Sequence, residues 1–219
     1  MRSGKLGGIF TIQTLAICLR LPHQGQTTMG SSERLEYFDT LPSDNCWILG
    51  PHKSADDQYE SDVWAFSRCQ RVTKVLRPLQ FDVDQQGEVT DFNATVFGAI
   101  VVSERCKEMI RGVCGPADIE FLAADVSGAI GRWHVANLLA CVDCLDHTLS
   151  KIRYYDEQHP RKPGKPRSVE RIVLRSHLIA ERHLFRLADW PCTVIASDFF
   201  KSRFESEGLT GIEFHLVSS

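Results

Sequence analysis

The sequence predicts an α+β protein: a single domain, mostly antiparallel sheet with a few short helices, holding two similar strand–helix–strand units. Three observations carry this. Apolar residues come mainly in short, strand-length runs bounded by Pro, Gly, Asp and Ser. Two segments, AIVVSERCKEMIRGVCGPADIEF from Ala99 to Phe121 and TVIASDFFKSRFESEGLTGIEF from Thr193 to Phe214, spell the same order of strand, capped helix, glycine and strand. The 219 residues are 43% apolar and 24% charged, the composition of a folded chain with a real core.

Residues 1–28 stand apart. They hold Arg2, Lys5 and Arg20, no acid, and a moderately apolar run from Leu6 to Leu21. Thr11, Gln13 and Thr14 interrupt that run, no A-x-A site follows it, and it is too short and polar to span a membrane. The expectation is a disordered extension or a mis-assigned start, with Met29 opening the domain at 29–219; a signal or anchor is the alternative.

From Leu35 onward, LEYFD, CWILG, VWAFS and PLQFDVD read as strands, and DQQGE at 84–88 as a turn. In the first long segment Ala99–Val102 is the strand. Ser103 caps the helix, Glu104 sits at its positive end, Cys106, Met109 and Ile110 form the apolar stripe, and Gly112 stops it. In the second, Thr193–Ala196 is the strand and Ser197 the cap. Asp198 is the acid, Phe199, Phe200 and Phe204 the stripe, and Gly208 the stop. Ile119-Glu120-Phe121 and Ile212-Glu213-Phe214 are the closing strands. Val135, Leu138, Leu139, Val142 and Leu145 fall at helical spacing, so periodicity gives a helix there. KIRYYD reads as a strand, 156–168 as an exposed loop with a hairpin tip, and SVERIVLRS as a strand burying Val169, Ile172 and Val173.

Charge bounds the partners. The formal net charge is −3, and without the first 28 residues 22 Lys and Arg face 28 Asp and Glu. An acidic body disfavours nucleic acid, which demands a basic face, and suits a basic protein partner. RKPGKPR at 161–167 lacks interleaved aromatics and reads as a solvated loop tip rather than a nucleic-acid or membrane patch. Cysteines stand at 18, 46, 69, 106, 114, 141, 144 and 192, mostly inside apolar runs. They read as reduced, buried small hydrophobes in a reducing, cytoplasmic setting.

Candidate chemistry is sparse. Cys141, Cys144 and His147 have the spacing of half a zinc site or a redox C-x-x-C, but no second close pair completes four ligands. No G-x-S-x-G, H-E-x-x-H, phosphate loop or G-x-G-x-x-G occurs. An enzyme is therefore not expected, and no cofactor or metal is assigned. Asp56, Asp57, Glu60 and Asp62, with Tyr59 and Trp64 beside them, form the candidate protein-binding loop, because aromatics beside charge make typical anchors.

The C-terminal stretch HLFRLADWPCTVIASDFFKSRFESEGLTGIEFHLV, 183–217, resembles the signature of the DUF1629 family. That family is also called Imm11, the Myxococcus-type immunity protein domain of polymorphic toxin systems. The resemblance rests on Phe185-Arg186-Leu187 with Asp189-Trp190-Pro191, on Ser197-Asp198-Phe199, and on Gly208-Leu209, Gly211-Ile212 and Phe214. Tyr37-Phe38-Asp39, Asp91-Phe92, IVVSER at 100–105 and NLLACVDCLD at 137–146 are similar to earlier family elements. The resemblance implies a non-enzymatic antidote that binds a cognate toxin domain and blocks it. It also implies a strand at 133–141, and that reading is preferred to the helix of the periodicity. It transfers no functional residues. A metal- or thiol-dependent protein using Cys141, Cys144 and His147, or a general binding scaffold, is the alternative. The toxin's identity, the oligomeric state and the choice between cytoplasm and periplasm stay open.

Overall fold

In this computed structural model the described residues are 35–52, 65–72 and 77–219. They form thirteen strands and two α-helices. The first strands are β1 (Tyr37–Pro42), β2 (Ile48–Pro51), β3 (Leu79–Gln85), β4 (Phe92–Ala94) and β5 (Ile100–Ser103). Helix α1 (Glu104–Val113) leads to β6 (Ile119–Val126), β7 (Trp133–Leu138), β8 (Cys141–Val142), β9 (Lys151–Tyr154) and β10 (Pro166–Arg171). Then come β11 (Leu184–Leu187), β12 (Val194–Ser197), α2 (Asp198–Ser206) and β13 (Ile212–Val217). The predicted α+β class is what forms, and most pairings are antiparallel; β3 with β6 and β8 with β11 are parallel.

One sheet runs β2-β3-β6-β7-β5-β4, a second β13-β1-β12-β11-β8, and β9 and β10 form a separate hairpin. Side-chain alternation assigns the faces. Ile100, Val102, Ala136 and Leu138 join the buried residues of both helices and Leu184, Val194 and Ala196 in a core shared by the two sheets. Val101, Val135 and Phe81 point the other way, into a cluster with Trp47, Phe66 and Trp133. Phe185, Leu187 and Ile195 cover the outer face of the second sheet.

The two similar segments form two units of like construction. In the first, β5 and β6 are joined by α1 and both pair antiparallel with β7 between them. In the second, β12 and β13 are joined by α2 and both pair antiparallel with β1 between them. The caps match as well. Ser103 (φ −67°, ψ 164°) accepts from the Cys106 amide, and Ser197 (φ −78°, ψ 164°) accepts from the Phe200 amide. The middle strand differs in origin: β7 follows its unit in the chain, whereas β1 comes from the N-terminal side of the domain. The helices touch, and Arg105 of α1 donates to the Glu207 and Gly208 carbonyls that end α2, at 3.4 and 3.0 Å. A cation there complements the negative helix end.

Gly208 stops α2 as expected. At φ +60° its amide bonds Glu205 O and the Leu209 amide bonds Phe204 O, the pattern of a left-handed glycine cap. Gly211, at φ +111°, passes so close to strand β4 that a Cβ would lie 2.0 Å from Phe92 O.

Several expectations are corrected. Gly112 lies inside α1, which runs on to Val113 and ends where Cys114 turns extended. Phe199 is not in the stripe; it is exposed and lies against His183, ring centroids 4.9 Å apart. Of VWAFS, residues Ala65–Ser67 form a 3-10 turn in which Phe66 is the buried side chain. Val173 is half-buried rather than core, and β10 begins at Pro166, within the expected loop. The helix of the periodicity at 135–145 does not form: the strand that the resemblance implied at 133–141 is there as β7, which ends at Leu138, and Cys141–Val142 is the separate short strand β8. β7 lies between two cores, so both its faces are apolar and the alternation that marks a strand is lost.

Candidate functional site

The expected binding loop, Asp56, Asp57, Tyr59, Glu60, Asp62 and Trp64, lies outside the described residues. What adjoins it is described. β2 ends at Pro51 and His52 follows, immediately before that loop. Here β2, β3 and the β6–β7 turn enclose a groove of about 560 Å³, lined among others by Trp47, Pro51, Asp82, Asp84, Val89 and Ser127.

The groove follows from local sequence. β2 pairs antiparallel with β3, Gly50 opposite Asp82, with a register shift between Ile48 and Leu49. Chain reversal after β3 needs Gly87, where a Cβ would sit 2.4 Å from Asn45 O. That close approach lets Glu88 N bond Asn45 O at 2.7 Å and Trp47 N bond Glu88 O at 3.1 Å. On its other side Leu49 O accepts from Val96 N at 3.0 Å, so β2 is held between β3 and the segment after β4.

Its charge is negative. Asp82 Oδ1 meets His52 Nδ1 at 2.9 Å and accepts from Ser127 Oγ at 2.7 Å, which fixes the carboxylate. Asp84 is exposed beside it. Val89, 62% exposed, lines the groove, and Ile130, 98% exposed, stands on the β6–β7 turn that supplies Ser127 and Gly128. Acid groups beside exposed apolar side chains suit a protein surface that is basic and carries an apolar anchor. This groove was not visible in the sequence, because its parts lie 80 residues apart and no motif marks them.

The Cys141, Cys144 and His147 cluster does not assemble. Cys141 and Cys144 sit three apart on extended chain and so on opposite faces. Cys141 is exposed; Cys144 is fully buried, and burial pushes its thiol up to about 12. His147 is engaged elsewhere, with Tyr154 Oη at 2.9 Å and Asp189 Oδ2 at 2.9 Å. Among the described residues no group of three or more His, Cys, Asp or Glu is placed to hold a metal.

Cys141 instead meets Cys69, a partner that sequence spacing did not suggest. The two sulfurs interact, and the Cys69 thiol holds the Cys141 thiol below its ordinary pKa; the nearby Arg186 guanidinium acts in the same direction. The seven described cysteines form no disulfide. Cys46, Cys106, Cys114 and Cys144 are buried as expected; Cys69 is half-buried, and Cys141 and Cys192 are exposed, against expectation.

Arg186, the arginine of the Phe185-Arg186-Leu187 phrase, is 1% exposed and faces the space between the sheets. Its Nη1 donates to Pro191 O and its Nη2 to Gly98 O, both at 2.6 Å. The family-like phrase therefore ties its own turn, through Pro191, to the β4–β5 turn of the other sheet. Asp189 and Trp190 form that turn, with Trp190 N on Leu187 O and Thr193 N on Trp190 O.

Among the described residues no helix is long and apolar enough to cross a membrane. No curated protein matches the chain. The Imm11 immunity protein family matches residues 47–219, which takes in both strand–helix–strand units, the groove and the Arg186 turn. The chain belongs to the Imm11 immunity protein family.

Proposed function

We propose that this protein is a non-enzymatic immunity protein that binds a cognate bacterial toxin domain and neutralises it by occlusion. The observation that carries the reading is the family match across residues 47–219. The acidic groove supports it, since Asp82 and Asp84 would meet basic toxin residues while Val89 and Ile130 supply apolar contact. Asp56, Asp57, Tyr59, Glu60, Asp62 and Trp64 follow His52 in the sequence, which contacts the groove residue Asp82, and we assign them to the same binding face. A reducing, cytoplasmic setting fits described cysteines that form no disulfide. The domain responsible is 29–219, with 1–28 dispensable for binding.

The test is an affinity pull-down of the tagged protein from its host, followed by co-expression with any toxin domain it captures. Growth should be restored, and the two chains should co-purify in stoichiometric amounts. Continued killing in the presence of well-expressed protein would end the reading. Within the complex, Asp84→Lys should slow association by roughly tenfold at low salt, with less effect at high salt, because steering is screened. Stopped-flow binding at two ionic strengths measures this; an unchanged association rate removes the groove from the interface.

A further inference from the structure

Arg186 is a buried cation, and the groups that favour its charge are sulfurs: Cys69, Cys192 and Cys141. Buried charges are ordinarily matched by an opposite charge. Its two Nη atoms are spent on backbone carbonyls, and its Nε has no hydrogen-bond partner among the described residues. The Nε N–H is therefore open to an anion.

The thiols are held around it by the fold. Cys141 is the cross-strand partner of Arg186 in the parallel β8–β11 pair. Cys69 adopts φ +56°, the left-handed region that a side chain rarely occupies and that surrounding structure must impose. That structure is on hand: Asn137 Nδ2 donates to Gln70 O at 2.8 Å and to Glu120 Oε1 at 2.7 Å, and Glu120 Oε1 accepts from Val72 N at 2.8 Å. The segment carrying Cys69 is thus pinned to β6 and β7, within interaction range of the Cys141 sulfur. Asp189 also faces Cys141, and His147 holds that carboxylate at 2.9 Å.

We infer that Cys141 and Cys69 form a peroxide-reactive dithiol, with Cys141 the nucleophile, Cys69 the resolving thiol, and Arg186 the cation that stabilises the anionic sulfur. The oxidant class is a small hydroperoxide. The Cys141 thiolate attacks one peroxide oxygen; the S–O bond forms, the O–O bond breaks, and the second oxygen leaves as hydroxide and takes a proton. Cys141 is now a sulfenic acid. The Cys69 sulfur then attacks the Cys141 sulfur; the S–S bond forms, the S–O bond breaks, and the oxygen departs with the Cys69 proton as water. Two thiols and one hydrogen peroxide yield one disulfide and two waters. The product would strap the segment that follows residues 53–64 to β8. In a reducing compartment such a bond is transient and reversible.

The test uses the full chain, purified reduced, freed of reductant and exposed to a few equivalents of hydrogen peroxide. Intact mass and a non-reducing peptide map should give the loss of two hydrogens and one bridge, Cys69 to Cys141. In Cys69→Ser, dimedone should trap a sulfenic acid on Cys141. In Cys141→Ser, no bridge involving Cys69 should form. The wild-type map requires no variant to fold. A bridge from Cys141 to Cys192, dimedone labelling of Cys192 ahead of Cys141, or an unmodified Cys141 while other thiols oxidise would overturn the inference.

Discussion

At the scale of single residues, Glu104 shows how one side chain joins local and tertiary roles. It opens α1, where an acid meets the positive helix end. Lys107 Nζ bonds it at 2.8 Å and His134 Nε2, on β7, meets it at 2.6 Å. The Lys107 bond first, then His134, holds its carboxyl down at about 2 against an ordinary 4.5. A depressed folded-state pKa stabilises above the unfolded value, and that stabilisation fades as pH falls from about 4.5 toward about 2. Glu104→Gln should therefore lower the melting temperature at pH 7. The gap from wild type should narrow below pH 4.5 and close near pH 2, which calorimetry across pH measures. The acid at the helix start was legible in the sequence. His134 as its second partner was not, because that contact spans two elements.

At the scale of elements, the matched serine caps make the clearest case. Ser103 and Ser197 were identifiable from the chain, and both cap in the expected way. Their second partners differ: Ser103 Oγ donates to Asp91 Oδ1 at 2.7 Å, while Ser197 Oγ lies 2.9 Å from His183 Nδ1. Ser197→Ala should destabilise the protein by about 1 kcal/mol through the lost cap, and somewhat more through the orphaned histidine. Urea denaturation reads this; an unchanged midpoint would mean the cap contributes nothing. The stop signals were less legible. Gly208 ends α2 because the chain needs a left-handed turn there, whereas Gly112 sits at ordinary helical backbone and ends nothing. A glycine letter does not distinguish the two, since the required backbone angle depends on where the next strand must begin.

At the scale of the whole molecule, the two units meet across one shared core, and Arg186 is a polar tie between them. Replacing it with methionine would keep the volume and leave Gly98 O and Pro191 O without their donors. We expect Arg186→Met to destabilise by roughly 1–3 kcal/mol, from two half-buried carbonyls left without donors. Chemical denaturation measures this as well. A neutral result would mean that removing the buried cation offsets the lost bonds. The same tie bears on binding, because the groove lies on the first sheet and the family-like turn on the second. The proposed interface and the most recognisable sequence phrase are therefore different parts of the molecule.

The sequence alone determined what nearest neighbours control: the α+β class, most strand positions, both helix starts, the acidic body and the resemblance to an immunity family. These depend on side-chain period, capping chemistry and composition, all of which act over a few residues. Tertiary structure decided the rest. It decided against the helical periodicity at 133–138, where the family resemblance had implied a strand, because a doubly buried strand loses its alternation. It inserted β1 between β12 and β13 from the far end of the domain. It separated Cys141 from Cys144 and set it beside Cys69, and it closed a groove from residues of β2, β3 and the β6–β7 turn. Each of these depends on partners distant along the chain, and no local pattern encodes which distant surface a side chain will meet.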